Sequence, residues 1–229
     1  MINGKKVVAV TLARGGSKSI PKKNMVDING RPLLDYTVQE VKKSQYIDEY
    51  YVSTDDDDVI DYCDKNNVSC ILRPYKLATD TAKSSDALIH AVEGLKFYYV
   101  AEVMATNPLK TVEDINGCIE EIDAKNADSV VSVRRIYDEH PARVKWLDED
   151  NVMHDFYLEK PESRRQDLSP SAYIRNGSIY VMKKSFLLEN KARYGKKSIA
   201  YIMPEERTVN IDNTEDLEVA KIRMKRICE

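Results

Sequence analysis

Apolar, β-branched runs alternate with amphipathic stretches along most of this 229-residue chain, and few architectures accept that order. "KKVVAVTLA" (5–13), "EYYVST" (49–54), "VSCIL" (68–72), "YYVAEVMA" (98–105) and "DSVVSVRRI" (128–136) read as buried strands. Helical patterns fill the gaps at 32–43, 56–67, 84–95 and 111–125. Leu34, Val38 and Val41 fall at helical intervals behind Pro32, which suits a first turn. The acids of "DDDD" (55–58) read as a solvated turn and the favourable first turn of the second helix. Ser84 or Ser85 is a candidate cap for the third, and Thr111-x-x-Asp114 for the fourth. Strand–helix alternation with short links requires a mostly parallel sheet covered by helices on both faces. Such α/β sheets take their ligands beyond the carboxyl ends of the strands.

The alternation breaks between about 137 and 172, where the chain turns polar, prolyl and weakly periodic. It resumes with "GSIYVM" (177–182) and "SIAYIM" (198–203) and closes in a helix over 214–227, with Leu217, Ala220, Met224 and Ile227 on one face. The whole, 1–229, reads as a single domain with an irregular arm. A net charge of −3 removes any global electrostatic case for nucleic acid, and no apolar run reaches membrane-span length. Cys63, Cys70, Cys118 and Cys228 form no Cys-x-x-Cys pair, and with three histidines they argue against a zinc site. Scattered thiols and the lack of a leader-like start fit a cytoplasmic protein.

The link after the first strand, "ARGGSKSIPKKN" (13–24), concentrates cations. Gly15 and Gly16 allow a sharp turn and close approach to a ligand, and backbone N–H groups in such a turn can hold phosphate oxygens. Arg14, Lys18, Lys22 and Lys23 add positive charge, and Pro21 stiffens the loop. The spacing matches neither G-x-G-x-x-G nor a P-loop. A solvated basic turn is the competing reading, weakened by the loop's place after the first strand of an alternating fold.

"LARGGSKSIPKKN" also resembles the opening motif of the acylneuraminate (CMP-sialic acid) cytidylyltransferases, relatives of the Kdo cytidylyltransferases, and matches every fixed position of L-A-R-x-x-S-K-x-[IL]-P-x-K-N. "VSTDD" (52–56), "RPYKLATDTAKSS" (73–85), "NPLKTVEDI" (107–115), "EHPAR" (139–143), "RRQDL" (164–168), "YIRNGSIYV" (173–181) and "NIDNTEDL" (210–217) extend the resemblance over nearly the whole chain. It implies a Rossmann-like nucleotidyltransferase fold with an extended dimerisation arm, and a reaction in which CTP and an acidic sugar give a CMP-sugar and pyrophosphate. Arg14 and Lys23 would hold triphosphate oxygens, in a nucleotide site completed by Ala13, Gly15, Ser17, Asn24, Arg73 and Ser84. The family's metal-binding D-x-D pattern reads Asn210-Ile211-Asp212 here, so Mg²⁺ or another divalent cation would meet one carboxylate and one neutral carbonyl oxygen. Read alone, Asp212 fits better as the N-cap of the last helix; the resemblance favours it as a metal ligand. Catalytic weight would rest on Arg14, Lys23 and Asp212.

Acceptor-binding positions implied by the resemblance are Arg143, Arg165, Gln166, Asn176 and Tyr180. Met104 stands where many relatives carry a glutamine, and "RRQDLSPSAY" is one residue longer than the usual segment. Both departures fall on the acceptor side. The acceptor is therefore a sialic or other nonulosonic acid, or a different acid such as a Kdo-like sugar or a phosphonate; a non-catalytic nucleotide-binding homologue and a different base also remain open. Family members are dimers whose arm reaches the partner's site. Val144, Trp146, Phe156 and Tyr157, apolar within a polar stretch, fit a homodimer contact.

Overall fold

The computed structural model describes residues 1–157 and 164–228. Its elements run β1 (Val7–Leu12), β2 (Asp27–Ile28), β3 (Arg31–Pro32), α1 (Leu33–Lys42), β4 (Glu49–Thr54), α2 (Asp57–Lys65), β5 (Ser69–Leu72), α3 (Ser84–Ala91), β6 (Tyr99–Val103), α4 (Val112–Ala124) and β7 (Ser129–Ile136). There follow β8 (Lys145–Leu147), β9 (Met153–Asp155), β10 (Ala172–Lys183), α5 (Lys184–Asn190), β11 (Ser198–Ile202) and α6 (Thr214–Cys228).

Seven strands form one sheet in the order β11-β7-β10-β6-β1-β4-β5. Four of its six pairings are parallel; β10 runs antiparallel to both β6 and β7. The expected mostly parallel sheet is therefore present. Successive residues of β1 point to opposite faces. Val7 and Ala9 pack with Ile115, Ile119 and Ile122 of α4, while Val8 and Val10 pack with Leu88 of α3 and Leu187 of α5. Leu34 and Val38 of α1 join Val59 and Cys63 of α2 over Val52. Leu217, Ala220 and Met224 of α6 cover Ile20, Ile28 and Ile211, which ties the opening loop to the body. The side chains of Ile227 and Cys228 lie outside the described residues.

Local expectations met mixed outcomes. Thr111 and Asp114 form the reciprocal capping box, and Asp56 caps α2 by accepting from Asp58 N. The third helix is shorter than its pattern, and neither serine caps it: Lys83 holds the N-cap position without a side-chain bond. Gly94, at φ +75°, redirects the chain soon afterwards. Cys63 and Cys70, seven residues apart, bring their thiols into contact between α2 and β5, and burial raises the pKa of both. No helix among the described residues is long and apolar enough to cross a membrane.

The chain goes from β1 to β4 and β5 on one side and returns to β6 on the other, which makes the β1/β6 boundary the topological switch point. A second feature shapes this end of the sheet. Between Arg175 and Tyr180 the register of β10 on β7 shifts. Gly177 sits there at φ +61°, with Asn210 Oδ1 3.2 Å from where a Cβ would be. Among its described residues, the segment from Tyr137 to Ser171 holds the two-stranded β8–β9 hairpin and single turns. Residues 158–163 of the expected arm lie outside the described residues.

Candidate active site

A cleft of about 600 Å³ opens beyond the carboxyl ends of β1 and β6. Arg14, Ser17, Lys23 and Asn24 of the opening loop line it, with Arg73 after β5, Ser84 at the start of α3, Met104 after β6, and Asp212. The residues expected at the nucleotide site thus converge on one place, except Ala13 and Gly15, which do not line it. Ala13 is fully buried, and its N–H donates to Ser53 O at 2.9 Å. The Gly15 N–H donates to Asp55 Oδ1 at 3.0 Å, so it is already engaged. Its missing side chain matters for packing, since a Cβ there would lie 3.0 Å from Asp56 Oδ2.

Each cation of the loop already faces a carboxylate. Arg14 Nη1 lies 2.9 Å from Asp80 Oδ1 and donates to Ala78 O at 3.1 Å. Lys18 Nζ meets the other oxygen of Asp80 at 2.6 Å. These two cations, Lys18 first, hold the Asp80 carboxyl below its ordinary pKa. Lys23 Nζ donates to Ile211 O at 2.8 Å and stands 3.4 Å from Asp212 Oδ1. Lys22 points elsewhere, to Asp58. Asn24, nearly buried, donates from Nδ2 to Arg14 O at 3.0 Å and fixes the loop's bend. Arg73 is buried and donates to Ser53 O at 2.7 Å; burial lowers its pKa.

The turn carrying Met104 is set from beneath by Lys110, a residue that no sequence pattern singles out. Its side chain is buried, and Nζ donates to Thr37 Oγ1 and Met104 O, each at 2.7 Å, and to Asn107 O. Three acceptors match the three donors of an ammonium, while burial lowers the pKa to about 7.

Asp212 does not cap the last helix. Asn213 Oδ1 accepts from Asp216 N at 2.9 Å, and Asp216 Oδ2 accepts from Asn213 N at 3.1 Å and Asp212 N at 2.9 Å. The Asp212 carboxylate is free of that duty and accepts from Asn210 Nδ2 at 2.5 Å. Asn210 Oδ1 is buried and has no hydrogen-bond partner among the described residues.

Asn210 belongs to a second cleft, of about 610 Å³, which also contains Asn176, Gly177 and Tyr180. The clefts share boundaries at Asp212–Asn210 and at Glu102–Tyr180, the latter pair directly opposite in the β6–β10 register. Arg143, Arg165 and Gln166 line neither cleft. Arg143 and Arg165 instead approach Asp138 at 3.9 and 3.5 Å.

A family model described as cytidylyltransferase matches residues 8–222. The chain belongs to the cytidylyltransferase family. This cytidylyltransferase-family chain is 30% identical over 227 residues to the pseudaminic acid cytidylyltransferase of Campylobacter jejuni, covering 96% of the chain and 97% of the relative. It is 29% identical over 216 residues to the N-acylneuraminate cytidylyltransferase of Streptococcus agalactiae, covering 92% of the chain and 51% of the relative. The chain thus spans about half the length of that second relative. Among solved structures, a CMP:2-keto-3-deoxy-manno-octonic acid synthetase complexed with CTP aligns with a TM-score of 0.73 at 16% identity, over 97% of this chain and 99% of that one. A 4-diphosphocytidyl-2C-methyl-D-erythritol synthase from Anaerococcus prevotii aligns at 0.70 and 16%, over 98% of each chain. At these identities the two structures speak for the nucleotidyltransferase-type Rossmann-like fold alone.

Proposed function

We propose that the protein transfers CMP from CTP to the anomeric hydroxyl of an acidic sugar, a sialic or other nonulosonic acid, and releases pyrophosphate. The observation that carries this reading is the gathering of Arg14, Lys18 and Lys23 around one cleft at the switch point of a cytidylyltransferase-family sheet. The triphosphate occupies this cleft. Arg14 offers a planar fork and Lys23 a point charge to its oxygens. Ser17 and Asn24 shape the loop, and Ser84 brings the N-terminal end of α3 to the anion. The acceptor lies in the second cleft against Asn176 and Tyr180, with Met104 at the boundary. Its hydroxyl attacks the α-phosphorus and gives up its proton to solvent, the bond to the β-phosphate breaks, and the charge gathering on pyrophosphate falls to Arg14 and Lys23.

A divalent cation, Mg²⁺ by preference, fits the residues at the boundary. Among the described residues no group of three or more His, Cys, Asp and Glu side chains is gathered. Magnesium is commonly held by one or two carboxylates plus substrate phosphates. Asp212 supplies the carboxylate, and half a turn of the Asn210 amide would bring its unpartnered oxygen alongside. Such an ion, when bound, neutralises phosphate charge and orients the α-phosphorus.

The reading includes a homodimer built on the 137–172 arm of a single 1–229 domain. Val144, Trp146, Phe156 and Tyr157 are exposed, as are Leu147 and Met153 of the β8–β9 hairpin. Arg143, Arg165 and Gln166 lie outside both clefts of their own chain, so they serve an acceptor only from a second copy. Use of CTP agrees with a cytoplasmic setting.

The test is pyrophosphate release by the purified protein with each of four nucleoside triphosphates and a panel of acidic sugars, including N-acetylneuraminic and pseudaminic acids. Mg²⁺-dependent release that needs both CTP and an acidic sugar is expected. Release with another nucleotide alone, or none with any pair, would remove the reading.

A further inference from the structure

The second cleft is lined by four arginines, Arg134, Arg175, Arg193 and Arg223, against one carboxylate, Asp216. Asp216 Oδ2 is engaged by the backbone N–H groups of Asp212 and Asn213. Arg193 Nη1 lies 3.3 and 3.4 Å from the two oxygens of Glu102, and Arg134 Nη2 lies 3.8 Å from Glu139. Arg223 donates to Glu205 O at 2.8 Å. Arg175 has no carboxylate partner among the described residues and stacks on Tyr194, 4.5 Å from its ring centre. With Asp216, Glu102 and Glu139 set against the four guanidiniums, one positive charge is left over. A single carboxylate on the occupant would balance it.

Glu102 makes the arrangement specific. It sits on a central strand at 1% exposure, where an unpaired carboxylate is costly. Burial raises its pKa, and the Arg193 charge opposes that rise. Arg193 in turn stacks on Tyr180, 4.5 Å from the ring centre, and Tyr180 is the cross-strand neighbour of Glu102. Glu102 and Tyr180 therefore fix the Arg193 guanidinium from two directions, at the boundary of the two clefts.

We propose that Arg175 and Arg193 of this chain bind the carboxylate of the acidic acceptor, and that Glu102 is the positioning residue for Arg193. The inference rests on the reading that the second cleft holds an acidic acceptor. It moves recognition of the carboxylate away from Arg143 and Arg165, which face Asp138 outside the cleft. Two planar guanidiniums suit a carboxylate because each can present paired N–H donors.

The experiment compares an acidic acceptor that turns over, N-acetylneuraminic or pseudaminic acid, with its methyl ester, which keeps the anomeric hydroxyl and lacks the charge. Pyrophosphate release is followed at saturating CTP and Mg²⁺. The wild-type protein should show a KM about tenfold or more higher for the ester. Arg175→Met, at an exposed position that spares the fold, should raise KM for the acid and leave the ester unchanged. The double variant Glu102→Gln/Arg193→Met, which avoids leaving a buried carboxylate unpaired, should do the same. Glu102→Gln alone should raise acceptor KM with little change in kcat or in KM for CTP, a split that general loss of folding would not produce. Turnover with discrimination intact in both Arg175→Met and the double variant overturns this inference alone. Absence of turnover with every acidic acceptor overturns the functional reading and this inference together.

Discussion

Replacing Lys23 by methionine removes one charge from the proposed nucleotide cleft while keeping most of the side chain's bulk. Lys23 is 15% exposed, donates to Ile211 O at 2.8 Å and stands 3.4 Å from Asp212. The bond to the carbonyl involves a charged donor and contributes about 1.5–3 kcal/mol. The ion pair adds less than about 1 kcal/mol, because the Asp212 side chain is well exposed. A domain of this size loses about 2–4 °C of Tm per kcal/mol, so a fall on the order of 5 °C is expected. The catalytic effect should be far larger than this structural one. A preorganised donor aimed at charge that develops in the transition state contributes about 3–4 kcal/mol, which places kcat about 10²–10³ below wild type. Lys22→Met is the control, since Lys22 pairs with Asp58 and does not line the cleft. Pyrophosphate release at saturating CTP and Mg²⁺ gives the rates, and circular dichroism melting gives the stabilities. If Lys23→Met turns over like Lys22→Met, Lys23 does not stabilise the leaving group, and the assignment of this cleft to triphosphate chemistry loses its main support.

Asp212→Asn should abolish most turnover with little change in Tm, because Asn213 and Asp216 cap α6; Asn210→Asp should lower the Mg²⁺ concentration giving half-maximal rate, and full activity of Asp212→Asn at an unchanged Mg²⁺ requirement would place the ion elsewhere. Lys110 has a folded pKa near 7 and an ordinary unfolded one, so the unfolded chain binds more protons between about pH 7 and 10 and stability falls as pH drops across that window. The slope is at most about 1.4 kcal/mol per pH unit, and denaturant melts of the wild type and Lys110→Met should differ by it; equal slopes would contradict the low pKa. Light scattering at micromolar concentration should report a dimer that Trp146→Glu weakens, and a fully active wild-type monomer would refute the arm's proposed role.

The sheet and its order of helices were legible because strand and helix periods are written directly into the apolar pattern. The seven-residue α5 was not, since two turns are too short to establish a period. The pattern located only the second half of β10. Its first half, including Arg175, is largely exposed and pairs with β7 alone, so alternation there carries no burial signal. At the site, motif order brought Arg14, Ser17, Lys23, Asn24, Arg73, Ser84, Met104 and Asp212 to one cleft. It did not reveal that Ile20 anchors the loop to α6, that Lys110 supports the Met104 turn, or that Glu102 faces Arg193. Those contacts join residues about 90 or more apart in two cases, and in the third an ordinary-looking lysine whose burial no local pattern encodes. The choice between cap and free carboxylate at Asp212 also needed coordinates, because Asp212 and Asn213 are both competent caps and adjacent in sequence.

The paired state of the loop would govern traffic through the proposed nucleotide cleft. Asp80 bridges Arg14 and Lys18, and Asp212 faces Lys23, so the protein meets solvent with its strongest cations already compensated. For a triphosphate bound as proposed, arrival is an ion exchange, with phosphate oxygens taking places that carboxylates held. Affinity is set by the difference between two anions, which damps the dependence on bulk salt that bare lysines and arginines would show. Under the proposed reaction the same exchange would run backwards: as pyrophosphate loosens, Asp80 and Asp212 would stand within reach of the vacated cations, and their return would compete with rebinding and help empty the cleft for the next turnover.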